Sequence, residues 1–378
     1  MPLPLAVAAV RLSHFRSYAN AALTTARTPV VLCGANGIGK TNLLEAVSLL
    51  SPGRGLRGAT LSEVQRKGPA DAGALWAVSA TVVRGEDMHE IGTGLAAADG
   101  ERRVTRLNGA AAASTDLAEI LPMLWLTPAM DRLFLDGASG RRKFLDRLVF
   151  GMDAGHARRA VRYENAMRER ARLLRDGRGD PVWLDGLEEA MAEAGVALTE
   201  SRLATIERLN GELRARDAAG AFPCAELALE DKLPMAEALD AARLRDAWAA
   251  ARRRDAESGH TSVGPHRADL IVRHTDKHAD ARDCSTGEQK ALLISIVVAN
   301  AWLQRAENGV PPLLLLDEIA AHLDVARRAA LFEEIVALGT QAWMTGTDRT
   351  LFAPLSGRAE FVTVANGQFV PISNEAAP

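Results

Sequence analysis

The stretch Gly34-Ala35-Asn36-Gly37-Ile38-Gly39-Lys40-Thr41 decides the fold of this chain. It matches the pattern of a phosphate-binding loop at every fixed position. The apolar segment Val30–Cys33 leads into it, and apolar residues recur at helical spacing after it as far as Leu50, before Pro52-Gly53 ends the pattern. Strand, glycine loop and helix in this order are the context that a genuine P-loop requires. The stretch therefore predicts a nucleotide site within an α/β domain.

The residues of this loop have distinct expected roles. The glycines let backbone N–H groups close around phosphate oxygens at a helix N-terminus, where the helix dipole favours anions. Lys40 is expected to neutralise charge on the β- and γ-phosphates, and the Thr41 hydroxyl to ligate Mg²⁺. A chance glycine-rich turn is the alternative interpretation, and the flanking strand and helix disfavour it.

A second apolar segment, Leu313–Leu316, ends at a pair of carboxylates, Asp317 and Glu318. An uninterrupted apolar run is typical of a buried strand in a parallel sheet, and such sheets bind ligands at their carboxyl ends. Asp317 is expected to hold Mg²⁺ through water, and Glu318 to polarise the attacking water. A solvated acidic turn is the alternative, and a P-loop in the same chain favours the catalytic interpretation.

The segment Ser285-Thr286-Gly287-Glu288-Gln289 opens a predicted helix and has two interpretations. A helix N-terminus of this kind is a second anion-binding site. Equally, Ser followed three residues later by Glu is a capping box, which stabilises a helix start without any ligand. The spacing alone leaves both interpretations open.

Composition limits the class of protein. Hydrophobic residues make up 48% and charged residues 25% of the 378-residue chain, which is typical of soluble globular proteins. The net charge of −3 predicts that any nucleic-acid contact comes from local patches. Cys33, Cys224 and Cys284 show neither disulfide nor metal spacing, which favours a reducing compartment. We expect no signal peptide and no membrane span, and therefore a cytoplasmic protein.

The pattern of elements changes twice along the chain. The first and last thirds read as strands alternating with helices, whereas residues 131 to 257 are rich in the residues that favour helices. We predict strands at residues 7–12, 75–83, 104–107, 269–273 and 342–345, and helices at 235–253 and 288–304. The simplest organisation is an ATPase lobe from residues 1–130 and 262–378, interrupted by a helical insertion lobe at 131–261.

The three motifs together resemble the ABC-type ATPases of DNA maintenance, and among these the chain is similar to the RecF family. The stretches that carry the resemblance run from residue 15 to beyond residue 350. They are Phe15-Arg16-Ser17-Tyr18, Ser51-Pro52-Gly53-Arg54-Gly55-Leu56-Arg57, Arg141-Arg142-Lys143-Phe144-Leu145-Asp146, Tyr163-Glu164-Asn165-Ala166 and Gly264-Pro265-His266-Arg267-Ala268-Asp269-Leu270. The resemblance implies an α/β ABC-type ATPase head, a P-loop core with an antiparallel β subdomain, plus an inserted α-helical lobe.

The resemblance also implies a function, an ATP-dependent clamp on DNA in recombinational repair and replication restart. Its head would dimerise around ATP, so that Ser285 and Gly287 of one protomer cap the γ-phosphate held at Lys40 of the other, with Gln289 among the ATP-binding residues. Family members hydrolyse ATP slowly, and we expect DNA to stimulate this activity. They work with RecR and RecO to place the RecA recombinase at gaps, and SOS induction belongs to the same expectation.

Two departures from related patterns affect the site. ABC transporters usually carry a switch histidine after the strand that follows the acidic pair, and this chain offers Thr347 there. The resemblance to RecF explains the departure, which favours slow turnover and disfavours a transporter. The resemblance also implies an acidic residue directly after Pro128, where this chain has Ala129; Asp131 is therefore the candidate for a loop residue that senses magnesium or water.

Contacts with DNA are predicted from arginines close to the P-loop. Arg54 and Arg57, on the loop after the P-loop helix, are the first candidates, and Arg102 and Arg103 the second. A solvated face is the alternative for each. Two other functions stay open, an ATPase subunit of a transport complex and a scaffold that binds ATP and DNA without hydrolysis. The Asp317-Glu318 pair disfavours the scaffold.

Overall fold

The computed structural model describes residues 3–68, 73–97, 102–177, 180–217, 220–365 and 367–372. The chain forms two compact units. The first unit comprises Met1–Asp131 and Val297–Pro378, and the second comprises Arg132–Ile296. The two lobes placed at residues 1–130 with 262–378 and at 131–261 stay a prediction.

The strands are named in chain order. They are β1 (Leu5–Phe15), β2 (Tyr18–Thr24), β3 (Val30–Cys33), β4 (Ala77–Arg84), β5 (Asp87–Leu95), β6 (Arg103–Leu107), β7 (Ala110–Ala111), β8 (Met123–Leu126), β9 (Ala225–Glu230), β10 (Asp269–His274), β11 (Ala279–Asp280), β12 (Leu313–Leu316), β13 (Ala342–Gly346), β14 (Glu360–Ala365) and β15 (Gln368–Ile372). The α-helices are α1 (Lys40–Ser48), α2 (Leu117–Ile120), α3 (Ala138–Phe150), α4 (His156–Arg175), α5 (Pro181–Asp217), α6 (Met235–Ala238), α7 (Ala241–Ser258), α8 (Thr286–Asn308) and α9 (Val325–Leu338).

The first unit is built on two six-stranded sheets. One is antiparallel, with the strand order β2-β1-β4-β5-β6-β7. The other has the order β15-β14-β3-β13-β12-β8, and it is parallel from β14 to β8 with β15 antiparallel at its edge. Because β3, β13 and β12 are parallel neighbours, their carboxyl ends meet at one edge of this sheet.

Apolar side chains from both sheets share one core with α1. Val10, Leu43, Val47, Leu315 and Trp343 are all fully buried in it. Hydrophobic burial of this kind supplies most of the stability of such a unit, because each buried large side chain contributes about 1.5–3 kcal/mol. The core thereby attaches the helix that follows the glycine loop to the strands beneath it.

One buried amide joins the two sheets. Gln341 is fully buried, and its Oε1 accepts hydrogen bonds from the Val7 N–H at 2.9 Å and the Trp343 indole N–H at 3.0 Å. Its Nε2 donates to the Thr25 hydroxyl at 3.1 Å. An unpaired buried amide costs about 1–3 kcal/mol. These bonds therefore allow a polar residue to lie inside the core, directly before β13.

The second unit contains α3 to α7, the first turns of α8 and the antiparallel sheet β11-β10-β9. Its core is formed where α4, α5 and α7 pack, with Tyr163, Met191, Leu198 and Trp248 buried. α5 is continuous over 37 residues, through both Gly195 and Gly211.

The structure confirms the bounds predicted for β3 and β12. It corrects the prediction for one helix and for one stretch that the composition predicted as helical. The helix predicted at 235–253 is split into α6 and α7, because the Asp240 side chain caps α7 by accepting from the N–H groups of Ala242 and Arg243. β9 lies in the stretch predicted as helical. Its side chains alternate between buried and exposed, with Ala225 and Leu227 inside, as expected for a strand. The composition of the stretch favours helices and does not indicate this strand.

Two further observations bear on the expected class of protein. None of the helices within the described ranges has the length and hydropathy needed to span a bilayer. Cys33 and Cys224 are buried, Cys284 is half-buried, and all three are free thiols.

Candidate nucleotide-binding site

The glycines of the loop between β3 and α1 are required by the backbone. Gly34, Gly37 and Gly39 have φ angles of 153°, 77° and 117°, which side-chain-bearing residues rarely adopt. A Cβ at Gly39 would lie 2.8 Å from the Tyr18 hydroxyl oxygen, and one at Gly34 would lie 3.0 Å from the Val364 carbonyl oxygen. The loop therefore closes tightly against its surroundings.

The amino end of α1 is left open by the protein. Gly39 supplies no side-chain cap, and the first turn carries no acidic residue. The first N–H groups of a helix have no partners within it, and together with the helix dipole they attract anions. Ala35, Asn36 and Ile38 complete the loop. The arrangement suits a phosphate group.

Lys40 reaches back across the loop from the first turn of α1. It is only 4% exposed, and its ammonium donates to the carbonyl oxygens of Gly34 at 2.6 Å and Ala35 at 2.8 Å. Burial lowers the pKa of Lys40, while the nearby charges of Glu318 and Asp317 act in the opposite direction. The cation is thus held between the loop and two carboxylates.

Asp317 receives two hydroxyl groups on the same oxygen. It is 5% exposed, and its Oδ1 accepts from the Thr41 hydroxyl at 2.9 Å and from the Thr345 hydroxyl at 2.8 Å. Its Oδ2 accepts no hydrogen bond within the described part of the chain. The sequence separates Thr41 from Asp317 by 276 residues, and the parallel sheet brings them together.

This pair of groups fits a magnesium ion bound beside phosphates. Mg²⁺ prefers oxygen ligands and usually takes one or two from the protein, with water and phosphate supplying the rest. Because Thr41 donates its proton to Asp317, the lone pairs of its oxygen stay available to a cation. Among the described residues there is no cluster of three or more His, Cys, Asp or Glu side chains suited to a metal. The two protein oxygens thus suit a Mg²⁺ ion whose other ligands are water and phosphate.

Glu318 follows Asp317 in an unusual backbone conformation. Its φ of 53° lies in the left-handed region, which costs a non-glycine residue roughly 1–2 kcal/mol. The Glu318 N–H donates to the Thr345 hydroxyl oxygen at 2.8 Å, and this bond holds the turn. The Glu318 side chain is half-buried. One fully buried threonine, Thr345, thus orients both members of the acidic pair.

Thr345 is the residue that sequence reasoning missed. The sequence pattern indicates Thr347 instead, which is exposed and lies beyond the end of β13. In the folded sheet β12 and β13 pair in parallel, with Leu316 opposite Met344. The residues that follow this pair are Asp317, directly after β12, and Thr345 in β13, so the strand register brings them together. The other loop candidate, Asp131, lies in the 3₁₀ helix Pro128–Arg132, which follows β8.

The Ser285 segment belongs to the second unit and begins α8 as a capping box. The Ser285 N–H donates to Glu288 Oε2 at 3.0 Å, and the Glu288 N–H donates to the Ser285 hydroxyl at 3.4 Å. Lys277 forms an ion pair with Glu288. Its hydrogen bond, followed by those from Ser285, lowers the pKa of Glu288 to about 2. The structure therefore contains the capping box. The contact of this segment with a nucleotide stays a prediction.

Gln289 lies behind the start of α8. It is 2% exposed, and its Nε2 donates to the Cys284 carbonyl oxygen at 2.9 Å. Its Oε1 is buried without a hydrogen-bond partner in the described residues. Gly287 has open space where a Cβ would stand. Gln289 is packed inside and Gly287 has no side chain, so there is open space beside the first turn of α8.

The first two arginine candidates differ in their surroundings. Arg54 is exposed, and its guanidinium makes no hydrogen bond or ion pair within the described ranges. Arg57 donates from Nη1 to the Asn42 side chain at 2.9 Å and to Glu45 at 3.0 Å. Glu45 is fully buried in α1 and also binds Arg16. Arg57 therefore fastens the loop to α1, whereas Arg54 faces solvent.

The second pair of arginines differs in the same way. Arg102 is exposed. The Arg103 guanidinium donates to the carbonyl oxygens of Leu49 and, at 2.8 Å, Gly53, and burial lowers the pKa of Arg103 to about 10. Carbonyl oxygens at a helix C-terminus lack partners, so Arg103 satisfies those that follow α1. This engagement favours a structural role for Arg103.

Solved structures share the fold over the whole chain. The structure described as the recombination mediator protein RecF-ATPrS in the RecFOR pathway superposes with a TM-score of 0.83 at 21% identity, over 98% of this chain and 99% of that one. A Smc head domain from Pyrococcus furiosus gives a TM-score of 0.55 at 17% identity, over 98% and 96%. The predicted fold class, an α/β ABC-type ATPase head with an inserted helical lobe, is confirmed.

Sequence comparison leads to the family. Residues 6–364 match the family described as RecF/RecN/SMC N terminal domain. The DNA replication and repair protein RecF of Agrobacterium fabrum is 51% identical over 369 residues, which cover 95% of this chain and 96% of the relative. The protein of the same name from Mesorhizobium japonicum is 48% identical, over 98% and 99%. The chain belongs to the RecF family of DNA replication and repair proteins.

Proposed function

We propose that this chain is an ATP-dependent DNA-binding clamp of recombinational repair and replication restart. The observation that carries the proposal is the meeting of Thr41, Asp317 and Thr345 beneath an uncapped P-loop helix. Such a site binds magnesium with a nucleoside triphosphate, and family membership supports ATP and DNA as the ligands.

Each residue of the site has a role in this proposal. The loop from Gly34 to Thr41 cradles the phosphates, and Lys40 neutralises their charge. Thr41 and Asp317 hold Mg²⁺, and Glu318 polarises the attacking water. Slow hydrolysis, stimulated by DNA, would end each bound state. A clamp of this kind depends on the binding energy of ATP and does not need rapid turnover.

The bound state is proposed to be a homodimer. Ser285, Gly287 and Gln289 of one protomer would contact the γ-phosphate held at Lys40 of the other. Support for this role comes from Gly287, which has open space where a Cβ would stand in the first turn of α8, a helix of 23 residues. ATP would then join two half-sites.

DNA, RecR and RecO are the proposed macromolecular partners, and the proposed place of action is the cytoplasm. Other protein groups already bind Arg57 and Arg103, so Arg54 and Arg102 are the better-placed phosphate contacts of the four predicted arginines. The clamp would mark gaps for loading of the RecA recombinase and so contribute to SOS induction.

Sedimentation velocity tests the proposal directly. We expect the full-length chain to change from monomer to dimer when Mg-ATP is added, and to return to monomer when EDTA removes the metal. A chain that stayed monomeric with Mg-ATP and gapped duplex DNA together would contradict the clamp.

One substitution tests the proposed role of Glu318 in ATP hydrolysis. Glu318→Gln keeps the size of the side chain and removes its charge, so we expect the ATP-bound dimer to last longer during a chase with unlabelled ATP. Dissociation as fast as in the wild type would contradict the role of Glu318. Single-turnover hydrolysis distinguishes the clamp from a scaffold without hydrolysis, and stimulation by DNA distinguishes it from a transport ATPase.

A further inference from the structure

The loop of residues 261–269 in the second unit is held in one conformation. Gly264 has a φ of 119°, and a Cβ there would lie 2.7 Å from the Tyr163 hydroxyl oxygen and 3.0 Å from Trp248. The His266 ring is fixed between the Tyr163 hydroxyl, 2.7 Å from Nδ1, and the Thr261 carbonyl oxygen, 2.9 Å from Nε2. His266 cannot turn without breaking its two hydrogen bonds, and Gly264 has no room for a side chain.

Arginines from the neighbouring helices hold the rest of the loop. Arg202 on α5 donates to the Pro265 carbonyl oxygen at 2.7 Å, and Arg142 on α3 donates to the Ala268 carbonyl oxygen at 2.7 Å. Arg141 grips both carboxylate oxygens of Asp269 at 2.8 Å each. The loop is therefore anchored on both sides of position 267.

Arg267 is the exception in this anchored loop. Its side chain is exposed, and its guanidinium makes no hydrogen bond or ion pair with any described residue. Two carboxylates of this part of the unit are already paired with other arginines, and a third, Asp231, accepts from the Leu233 N–H and lies near Arg142 and Arg202. Asp269 is bound by Arg141, and Asp146 by Arg202.

The surroundings of Arg267 are positively charged. Burial lowers the pKa of Arg142, and the positive charges of Arg202 and Arg267 lower it further, against the opposing effect of Asp269 and Asp146. Cations that repel one another are stabilised by a bound anion, since the anion replaces repulsion with attraction. A fixed loop that presents a cation also loses little conformational entropy on binding.

We propose that Arg267 is a contact for a backbone phosphate of DNA, with Arg142 as a second, fixed positive charge behind it. The proposal rests on the proposed function, because it takes the DNA of that clamp as the source of the phosphate. Guanidinium suits this ligand, since its planar fork can donate two parallel hydrogen bonds to phosphate oxygens. The position adds a contact in the second unit to the arginines predicted near the P-loop.

The salt dependence of DNA binding tests the contact. The full-length chain with Mg-ATP is titrated against fluorescein-labelled gapped duplex DNA at salt concentrations from about 50 to 200 mM. Each phosphate contact contributes about 0.9 to the slope of log K against log salt concentration. We expect Arg267→Ala to reduce that slope by about 0.9, and Arg267→Lys to restore most of it because the charge returns.

Arg253→Ala is the matched control. Arg253 lies on α7 in the same unit, its side chain is 92% exposed, and it pairs with Glu257 one turn away. The substitution removes the same charge, and we expect the wild-type slope. The control thus separates a local contact from the effect of net charge.

Four results would overturn the inference. Arg267→Ala with the wild-type slope would exclude the contact, and a loss that Arg267→Lys does not restore would assign the effect to the loop rather than the charge. A weaker ATP-driven dimer with an unchanged slope would assign Arg267 to a protein surface. If wild type and Arg253→Ala both failed to bind DNA, the proposed function itself would fail, and this inference with it.

Discussion

The P-loop site of the first unit and the buried arginine network of the second use charged residues in opposite ways. In the second unit Arg170 is fully buried and donates to Glu188 at 2.8 Å, to Asp255 at 2.8 Å and to the Trp248 carbonyl oxygen at 2.9 Å. In this network each charged side chain is paired with other groups of the protein. Around Lys40, by contrast, the helix start is uncapped and Asp317 keeps one oxygen without a donor from the described chain.

The difference teaches how to tell a structural cluster from a binding site. A network whose donors and acceptors are all paired stabilises the fold and offers a ligand nothing. A site whose groups are fixed in place but incompletely paired is ready for a ligand that completes them. Substitutions in the network should therefore change stability, and those in the site should change ligand binding.

The largest expected effect is on the closed network. Arg170→Ala leaves Glu188 and Asp255 buried without their partner, so we expect the free energy of unfolding to fall by about 3–5 kcal/mol. Urea unfolding followed by far-ultraviolet circular dichroism measures it. The control is Arg172→Ala on the same helix, an exposed residue paired with Glu169, for which we expect a loss of no more than about 1 kcal/mol. Equal losses would contradict the comparison.

The next effect is the pH dependence of the same unit. Burial lowers the pKa of His266 from 6.5 to about 4. Between these values the unfolded chain binds a proton that the folded chain does not, so stability falls as the pH drops from 6.5 towards 4. We expect the contribution of His266 to be at most about 3 kcal/mol. Denaturant unfolding across this range should show a shallower dependence for His266→Gln, and identical pH profiles would contradict the assignment.

A smaller effect is expected in the open site. Thr345→Val keeps the shape of the side chain and removes the hydroxyl that orients Asp317 and Glu318. Loss of a group that positions a metal ligand typically weakens metal binding about 10- to 100-fold. We expect the magnesium concentration for half-maximal binding of a fluorescent ATP analogue to rise at least about tenfold, and Thr345→Ser to behave as wild type.

Thr340→Val is the control for that experiment. Thr340 is also buried, and its hydroxyl donates to the Pro312 carbonyl oxygen, just before β13. Thr340→Val loses one hydrogen bond and Thr345→Val loses two, each worth about 1 kcal/mol. A magnesium requirement that rises equally in the two would show that Thr345 acts through stability alone.

The smallest effect on stability separates Arg54 from Arg57. We expect Arg54→Ala to leave the free energy of unfolding within about 0.5 kcal/mol of wild type and to reduce the salt slope of DNA binding by about 0.9. Arg57→Ala removes a partner of buried Glu45, so we expect a loss of about 1 kcal/mol with little change in slope. Reversed results would place Arg57, rather than Arg54, on the DNA surface.

Much of the candidate site was predictable because its chemistry is local. The P-loop conformation follows from glycines at positions with positive φ, and the apolar run before Asp317 predicts a buried strand by composition alone. The capping box at Ser285 was one of two open interpretations, and its hydrogen bonds are present.

The remainder depended on contacts that no local pattern encodes. The break before α7 depends on one side chain, Asp240, which accepts from backbone N–H groups. The segment from Gly264 to Leu270 is conspicuous in the sequence, yet its partners Tyr163, Arg141 and Arg202 lie up to 128 residues away along the chain. Sequence spacing cannot indicate which side chains such a loop will meet.

The amino-acid sequence by itself determined the chemistry of the loop, the acidic strand end and the family. The tertiary structure alone decided that Thr345 meets Asp317, that neighbouring protein groups bind Arg57 and Arg103, and that Arg54 and Arg267 face solvent. The physical reason is that propensity and spacing act over a few residues. The partner that satisfies a buried polar group is chosen instead by strand register and helix packing, across separations as long as the 276 residues between Thr41 and Asp317.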